Sequence, residues 1–212
     1  MVPIVPIEPD FHEGMHHMWK AYGGFTWAFK DYFFEETVLN RLDSDLWRET
    51  GDILLDPLNY PERMKEVPKL VIVSSDDEFM MFEWTSLWWD RMEGEKYLLI
   101  APDTKHSTTT NLETTLNAVA WFVNKIKTNS TENRQFTSSF NEESGEVEVQ
   151  MDEDATEPLE VMLRYVETIS TTMRDFRWIV PPNQEGECLP PLKESRRKGF
   201  CWQPLLWEAE KS

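Results

Sequence analysis

Two apolar runs, each closed by a polar turn, constrain this chain more than any other feature. Lys69 to Val73 is continuous and apolar after its first residue. It is bounded by Pro68 and by Ser74–Ser75–Asp76–Asp77. Lys96 to Ala101 repeats the pattern and ends in Pro102–Asp103–Thr104–Lys105–His106. Such runs belong to strands buried on both faces, as in parallel sheets covered by helices. Thr85 to Met92 reads as a helix closed by Gly94 at a position suited to a left-handed cap. Thr108 to Lys127 reads as another, with Leu112, Leu116, Val119, Phe122, Val123 and Ile126 on one stripe. Strand, helix, strand, helix predicts right-handed crossovers and an α/β fold.

Other segments are read by the same rules. Val2 to Ile7 reads as a short buried strand, and Met15 to Phe34 as aromatic-rich helix broken at Gly23–Gly24. Asn40 to Leu55 reads as a helix with Leu42, Leu46, Ile53 and Leu54 on one face, ended by Pro57 and Pro61. Asn129 to Asn141 is polar and linker-like. Between Glu142 and Glu160 there are nine acidic residues and no Lys or Arg, most simply a solvated face. Glu146 to Met151, Val161 to Val166 and Phe176 to Val180 suit strands of a small β-rich module. The division predicted is therefore 1–128 as a partial α/β domain, 129–141 as linker and 142–212 as an acidic β-rich module.

Composition removes several classes of function. The chain has 212 residues, with 21 Lys and Arg against 39 Asp and Glu, a formal charge of −18. Phosphate contacts need clustered cations, so nucleic acid is excluded as a partner. Ten Trp and twelve Phe argue for a packed core, and two Cys exclude a four-Cys zinc site. No apolar run reaches the roughly 18 residues of a membrane span. The residues after Met1 have neither the basic start nor the cleavage site of a signal peptide.

Chemistry concentrates at the strand ends. Asp77 follows the first run and His106 the second, and in open α/β sheets sites form at the carboxyl ends of strands. There the Asp would orient the imidazole and stabilise its cation, and the His would serve as general base. Against this, loops at strand ends are polar in any case. A competing motif is His12–Glu13–Gly14–Met15–His16, the H-E-x-x-H pattern of two zinc ligands one turn apart. Glu35, 19 residues after His16, is its candidate third ligand. Gly14 weakens the helix this motif needs, and the alternative is a solvated loop leading into a helix. The aromatics from Trp19 to Phe34 suit either plain packing or the wall of a substrate pocket. Trp84 and Trp88, one turn apart, read as core.

The segments PKLVIVSSDDEFM (68–80), GEKYLLIAPDTKHS (94–107) and HMWKAYGGFTWAFKDYF (17–33) resemble the PhoPQ-activated pathogenicity-related, or autocrine proliferation repressor-like, family. MRDFRW (173–178) resembles a signature in the C-terminal region of that family. The resemblance covers nearly all of residues 2–128 and patches beyond. It implies an α/β-hydrolase-like fold of which this chain is the C-terminal portion, about three strands with flanking helices. It places the catalytic acid at Asp77, inside D-E-F, with Asp76 its neighbour, and the histidine at His106, beside Ser107. No cofactor is implied. The substrate of the full-length protein would be a small molecule or peptide bearing an ester or amide carbonyl. The serine-bearing turn belongs ahead of the strand matching Val2–Ile7, and no G-x-S-x-G occurs here. The expectation is a fragment without activity of its own, prone to aggregate. A non-enzymatic secreted signalling or binding protein on the same scaffold is the alternative from another class.

Two features bear on compartment. Asn129–Ser130–Thr131 is a glycosylation sequon. Cys188 and Cys201 suit a disulfide if the protein is exported, as family members often are, and free thiols otherwise.

Overall fold

The structure is a computed structural model that describes residues 1–32, 39–130, 136–151, 162–196 and 198–211. β1 (Lys69–Ser74) and β2 (Lys96–Ala101) pair in parallel, Lys69 opposite Lys96 and Ser74 opposite Ala101. All six residues of β1 are buried, as an apolar run without alternation requires. Lys69 is buried because its ammonium donates to the carbonyls of Met64, Val67 and Glu93. β2 is an edge strand and only half-buried, with Ile100 exposed, so the prediction of burial on both faces fails there.

The N-terminal segment lies along the other side of β1. Leu70 and Ile72 donate their amides to Met1 and Pro3, and Val5 donates to Ile72 across 2.8 Å. Pairing stops at a single bridge, Ile4 to Ile72. Pro3 and Pro6 carry no N–H, so a continuous ladder cannot form. Val2–Ile7 is thus neither a regular strand nor buried, and Ile7 is 71% exposed.

Each face of β1 feeds its own core. Val71 and Val73 meet Met15, Met18, Phe29, Trp47, Trp84 and Trp88. Leu70 and Ile72 meet Ala101 and Phe122 on the other side. The first face is covered by α1 (Phe11–Tyr22), which starts four residues before the predicted boundary and ends at Gly23 with φ 71°. A 3-10 helix at Trp27–Tyr32 follows, so the chain breaks at Gly23–Gly24 as the sequence predicts. The indoles of Trp84 and Trp88 are fully buried, and Trp84 lies across α1 at Gly14. A Cβ at Gly14 would stand 1.6 Å from that ring, so close packing against Trp84 requires glycine there.

The region 40–55 departs from the helix predicted for it. It holds a 3-10 turn at Leu39–Arg41, one π-helical turn at Trp47–Gly51 and the short α2 (Asp52–Leu55). Leu42 is buried, whereas Leu46, Ile53 and Leu54 are exposed. The short α3 (Pro61–Met64) leads into β1, and α4 (Thr85–Trp88), flanked by 3-10 turns, replaces the longer helix read over 85–92. α5 (Leu112–Thr128) covers the second face of the sheet through Ala118, Val119 and Phe122. The rest of its apolar stripe, Leu112, Leu116, Val123 and Ile126, is exposed, Leu116 at 55%. Two strands offer too narrow a surface to cover so wide a stripe.

The C-terminal region is made of short antiparallel pairs. β3 (Phe136–Phe140) pairs with β4 (Val147–Met151), and β5 (Met162–Tyr165) with β9 (Glu208–Lys211). β6 (Ile179–Val180) and β7 (Lys193–Glu194) flank β8 (Cys201–Trp202). β4 falls where alternation predicts a strand and β5 within the stretch 161–166 read as another, but only the last two residues of the stretch 176–180 are strand. Residues 152–160 of the acidic run lie outside the described residues. Cys188 and Cys201 are joined by a disulfide. No helix among the described residues is long and apolar enough to cross a membrane.

Candidate functional site

The parallel register sets the ends of β1 and β2 side by side, Ser74 opposite Ala101. The turn after β1 therefore meets the loop after β2. Asp77 Oδ1 accepts the amides of Phe79 and Met80 at 2.7 and 3.1 Å, which fixes the carboxylate in the turn. His106 reaches it from the next loop. Its Nδ1 lies 2.9 Å from Asp77 Oδ2 and 3.1 Å from Oδ1, and its amide donates to Glu78 Oε2. A carboxylate only accepts, so the Nδ1 proton points at Asp77 and Nε2 is left for other partners. Among the described residues Nε2 has none. The hydrogen bond to Asp77 raises the pKa of His106, and partial burial opposes this. The Phe79 ring, 4.5 Å from that of His106 between centroids, holds the imidazole from the side.

Asp76 points elsewhere. Its carboxylate accepts from Ser75 Oγ at 3.0 Å and from the Trp207 indole at 2.8 Å. Burial pushes its pKa up to about 7. The C-terminal region closes over this turn, because Trp178 donates its amide to the Asp76 carbonyl and Trp207 its amide to Asp103. The MRDFRW signature joins the same junction. Arg177 pairs bidentately with Asp175, at 2.8 and 2.6 Å, and lies over the Tyr22 ring at 4.1 Å.

His106 borders a cavity of about 450 Å³ walled by Phe11, Phe29, Tyr32, Trp47 and Phe79. The aromatic segment thus serves core and wall together. Phe29 is buried among core side chains and also borders the cavity. A second cavity, about 550 Å³ and lined by Lys105, Trp178 and Trp202, touches neither Asp77 nor His106.

Sequence reasoning missed Glu8. Its side chain is buried at the cavity, where Oε2 accepts the Trp88 indole at 2.8 Å and Oε1 has no partner among the described residues. Burial, reinforced by nearby Asp77, pushes its pKa up to about 8 against the Trp88 bond. A glutamate between Ile7 and Pro9 reads as a solvated loop, and only Trp88, 80 residues away, changes that.

α1 does form through Gly14, so His12 and His16 stand one turn apart with ring centroids 4.6 Å from each other. Glu13 turns back to its neighbour, Oε1 lying 3.2 Å from His12 Nδ1. Glu35 lies outside the described residues. The residue that meets both imidazoles is instead Asp43, whose pKa is lowered by its bonds to His16 and His12.

A mixed α/β unit with an Asp–His pair at adjacent strand ends is what the coordinates define, and comparison gives its family. Residues 1–177 match the model of the PhoPQ-activated pathogenicity-related protein family, and the chain belongs to that family. It is similar to autocrine proliferation repressor protein A of Dictyostelium discoideum, 31% identical over 213 residues. That match takes in 98% of this chain but 40% of the relative, so the chain spans well under half the relative's length. No solved structure matches the chain.

Proposed function

We propose that this chain carries the acid and the general base of a serine-hydrolase-like site, Asp77 and His106. The observation that carries the reading is the 2.9 Å contact of His106 Nδ1 with Asp77 Oδ2 beside an aromatic cavity. With Nδ1 held, Nε2 accepts the proton of an incoming hydroxyl nucleophile as its oxygen bonds to the substrate carbonyl carbon. Asp77 stabilises the imidazolium, which returns the proton to the leaving alcohol or amine. The nucleophile belongs to a part of the full-length protein outside these residues. There β1 and β2 continue a larger parallel sheet, followed by the β-rich region 142–212. The walls suit a small molecule or peptide with an apolar group beside the carbonyl.

The test is labelling of the full-length protein with a fluorophosphonate probe. A serine should be modified, and His106→Ala should lower the rate about a hundredfold or more. A folded full-length protein that takes up no probe refutes the reading. The name of the Dictyostelium relative, a proliferation repressor, favours a second reading: binding without catalysis on the same scaffold. In that case the cavity binds ligand, and His106→Ala changes affinity with no covalent step to lose.

A further inference from the structure

The histidine pair on α1 is not used by the reading above, and its surroundings are specific. His12 and His16 present Nε2 to one oxygen, Asp43 Oδ1, each at 2.9 Å. The three side chains bring their ligand atoms within 4.8 Å of one another. Asp43 comes from a different stretch, just after the 3-10 turn at Leu39–Arg41, so three donors converge from two segments.

A neutral imidazole carries one N–H, yet His12 has an acceptor-only carboxylate at each nitrogen: Asp43 at Nε2 and Glu13 at Nδ1. An imidazolium satisfies both carboxylates with two N–H groups, and a metal ion at Nε2 satisfies them with one. The proton then stays on Nδ1 and is held by Glu13, the way a carboxylate commonly orients a metal-bound imidazole. We propose that His12 Nε2, His16 Nε2 and the Asp43 carboxylate bind one divalent transition-metal ion of the zinc type, with a remaining position for water. Bonds of about 2.0–2.2 Å place tetrahedral donors about 3.3 Å apart. The two contacts to Asp43 need to open by only a few tenths of an ångström, and all three side chains are at least partly exposed.

This is a fastening site rather than a peptidase centre. In H-E-x-x-H enzymes the glutamate activates the metal-bound water, whereas Glu13 sits behind His12. The ion would tie α1 to the Asp43 stretch. Those two segments supply Phe11 and Trp47, which pack together at 5.6 Å and wall the cavity beside His106. The proposal does not depend on the hydrolase reading.

The experiment is calorimetric titration of the purified, metal-stripped protein with Zn²⁺ near pH 7.5, paired with thermal unfolding. One ion per chain is expected, with a rise in melting temperature as zinc saturates. His16→Ala and Asp43→Asn, both at exposed side chains, should each weaken binding about ten- to a hundredfold and remove that rise. His106→Ala should keep both. Absence of stoichiometric binding at 100-fold zinc excess overturns the proposal. So does binding that survives both variants unchanged, because the zinc is then elsewhere.

Discussion

The indole of Trp88 donates to the buried Glu8 across 2.8 Å, and among the described residues that bond is the one partner of a carboxyl whose other oxygen has none. Burial raises the pKa of Glu8 from 4.5 to about 8. The folded state therefore holds a proton that the unfolded chain releases, and unfolding free energy falls as pH rises between about 4.5 and 8. Denaturant titrations of Glu8→Gln should show a flatter profile over that window and greater stability than the wild type at pH 9. A profile with the wild-type slope would mean that Glu8 is ionised in the fold.

The same reasoning with a different sign of charge applies to His106. Asp77 raises its pKa, so the pair stabilises the fold fully below the ordinary histidine range, and this is lost as pH rises through the raised value. Asp77→Asn should move the titration midpoint of His106, followed by its imidazole NMR resonances, downward. Probe labelling of the full-length protein should fall at the same time, because the imidazolium loses its stabilising carboxylate.

Gly14→Ala should be costly. Its Cβ meets the Trp84 ring at a distance no side chain tolerates, and Trp84 is fixed by its indole bond to the Pro9 carbonyl at 2.8 Å. A loss of about 1–3 kcal/mol is expected by chemical denaturation, although alanine is the better helix former. A neutral result would place Trp84 elsewhere.

Arg177→Met leaves Asp175 without its partner in a largely buried setting. The expected cost is about 3–5 kcal/mol. Adding Asp175→Asn should restore part of it, and a double-mutant cycle measures the coupling.

Much of this arrangement was legible because the signals were local. β1 is a long apolar run between breakers, the break after Tyr22 is a Gly pair, and one turn separates Trp84 from Trp88. The Asp77–His106 contact followed from two strand ends and a resemblance. What escaped depended on distant partners. Glu8 is buried only because Trp88 comes back over it, and Asp43 matters only because α1 lies against its loop. Val2–Ile7 looked like a strand by hydropathy, but two prolines deny it the donors a ladder needs. On α5 the period was right, yet it says which residues share a face and not how much of that face the sheet covers.

The uncovered stripe of α5 has a colloidal consequence. Leu112, Leu116, Val123 and Ile126 are oily ground on a molecule carrying a net charge of −18. Like-charge repulsion keeps such molecules apart at low ionic strength, but its reach shrinks to about 8 Å in physiological salt and about 3 Å at 1 M. Dissolved alone, the chain should then be salted out by ordinary electrolyte, and its solubility becomes a direct gauge of how much of that stripe is left bare.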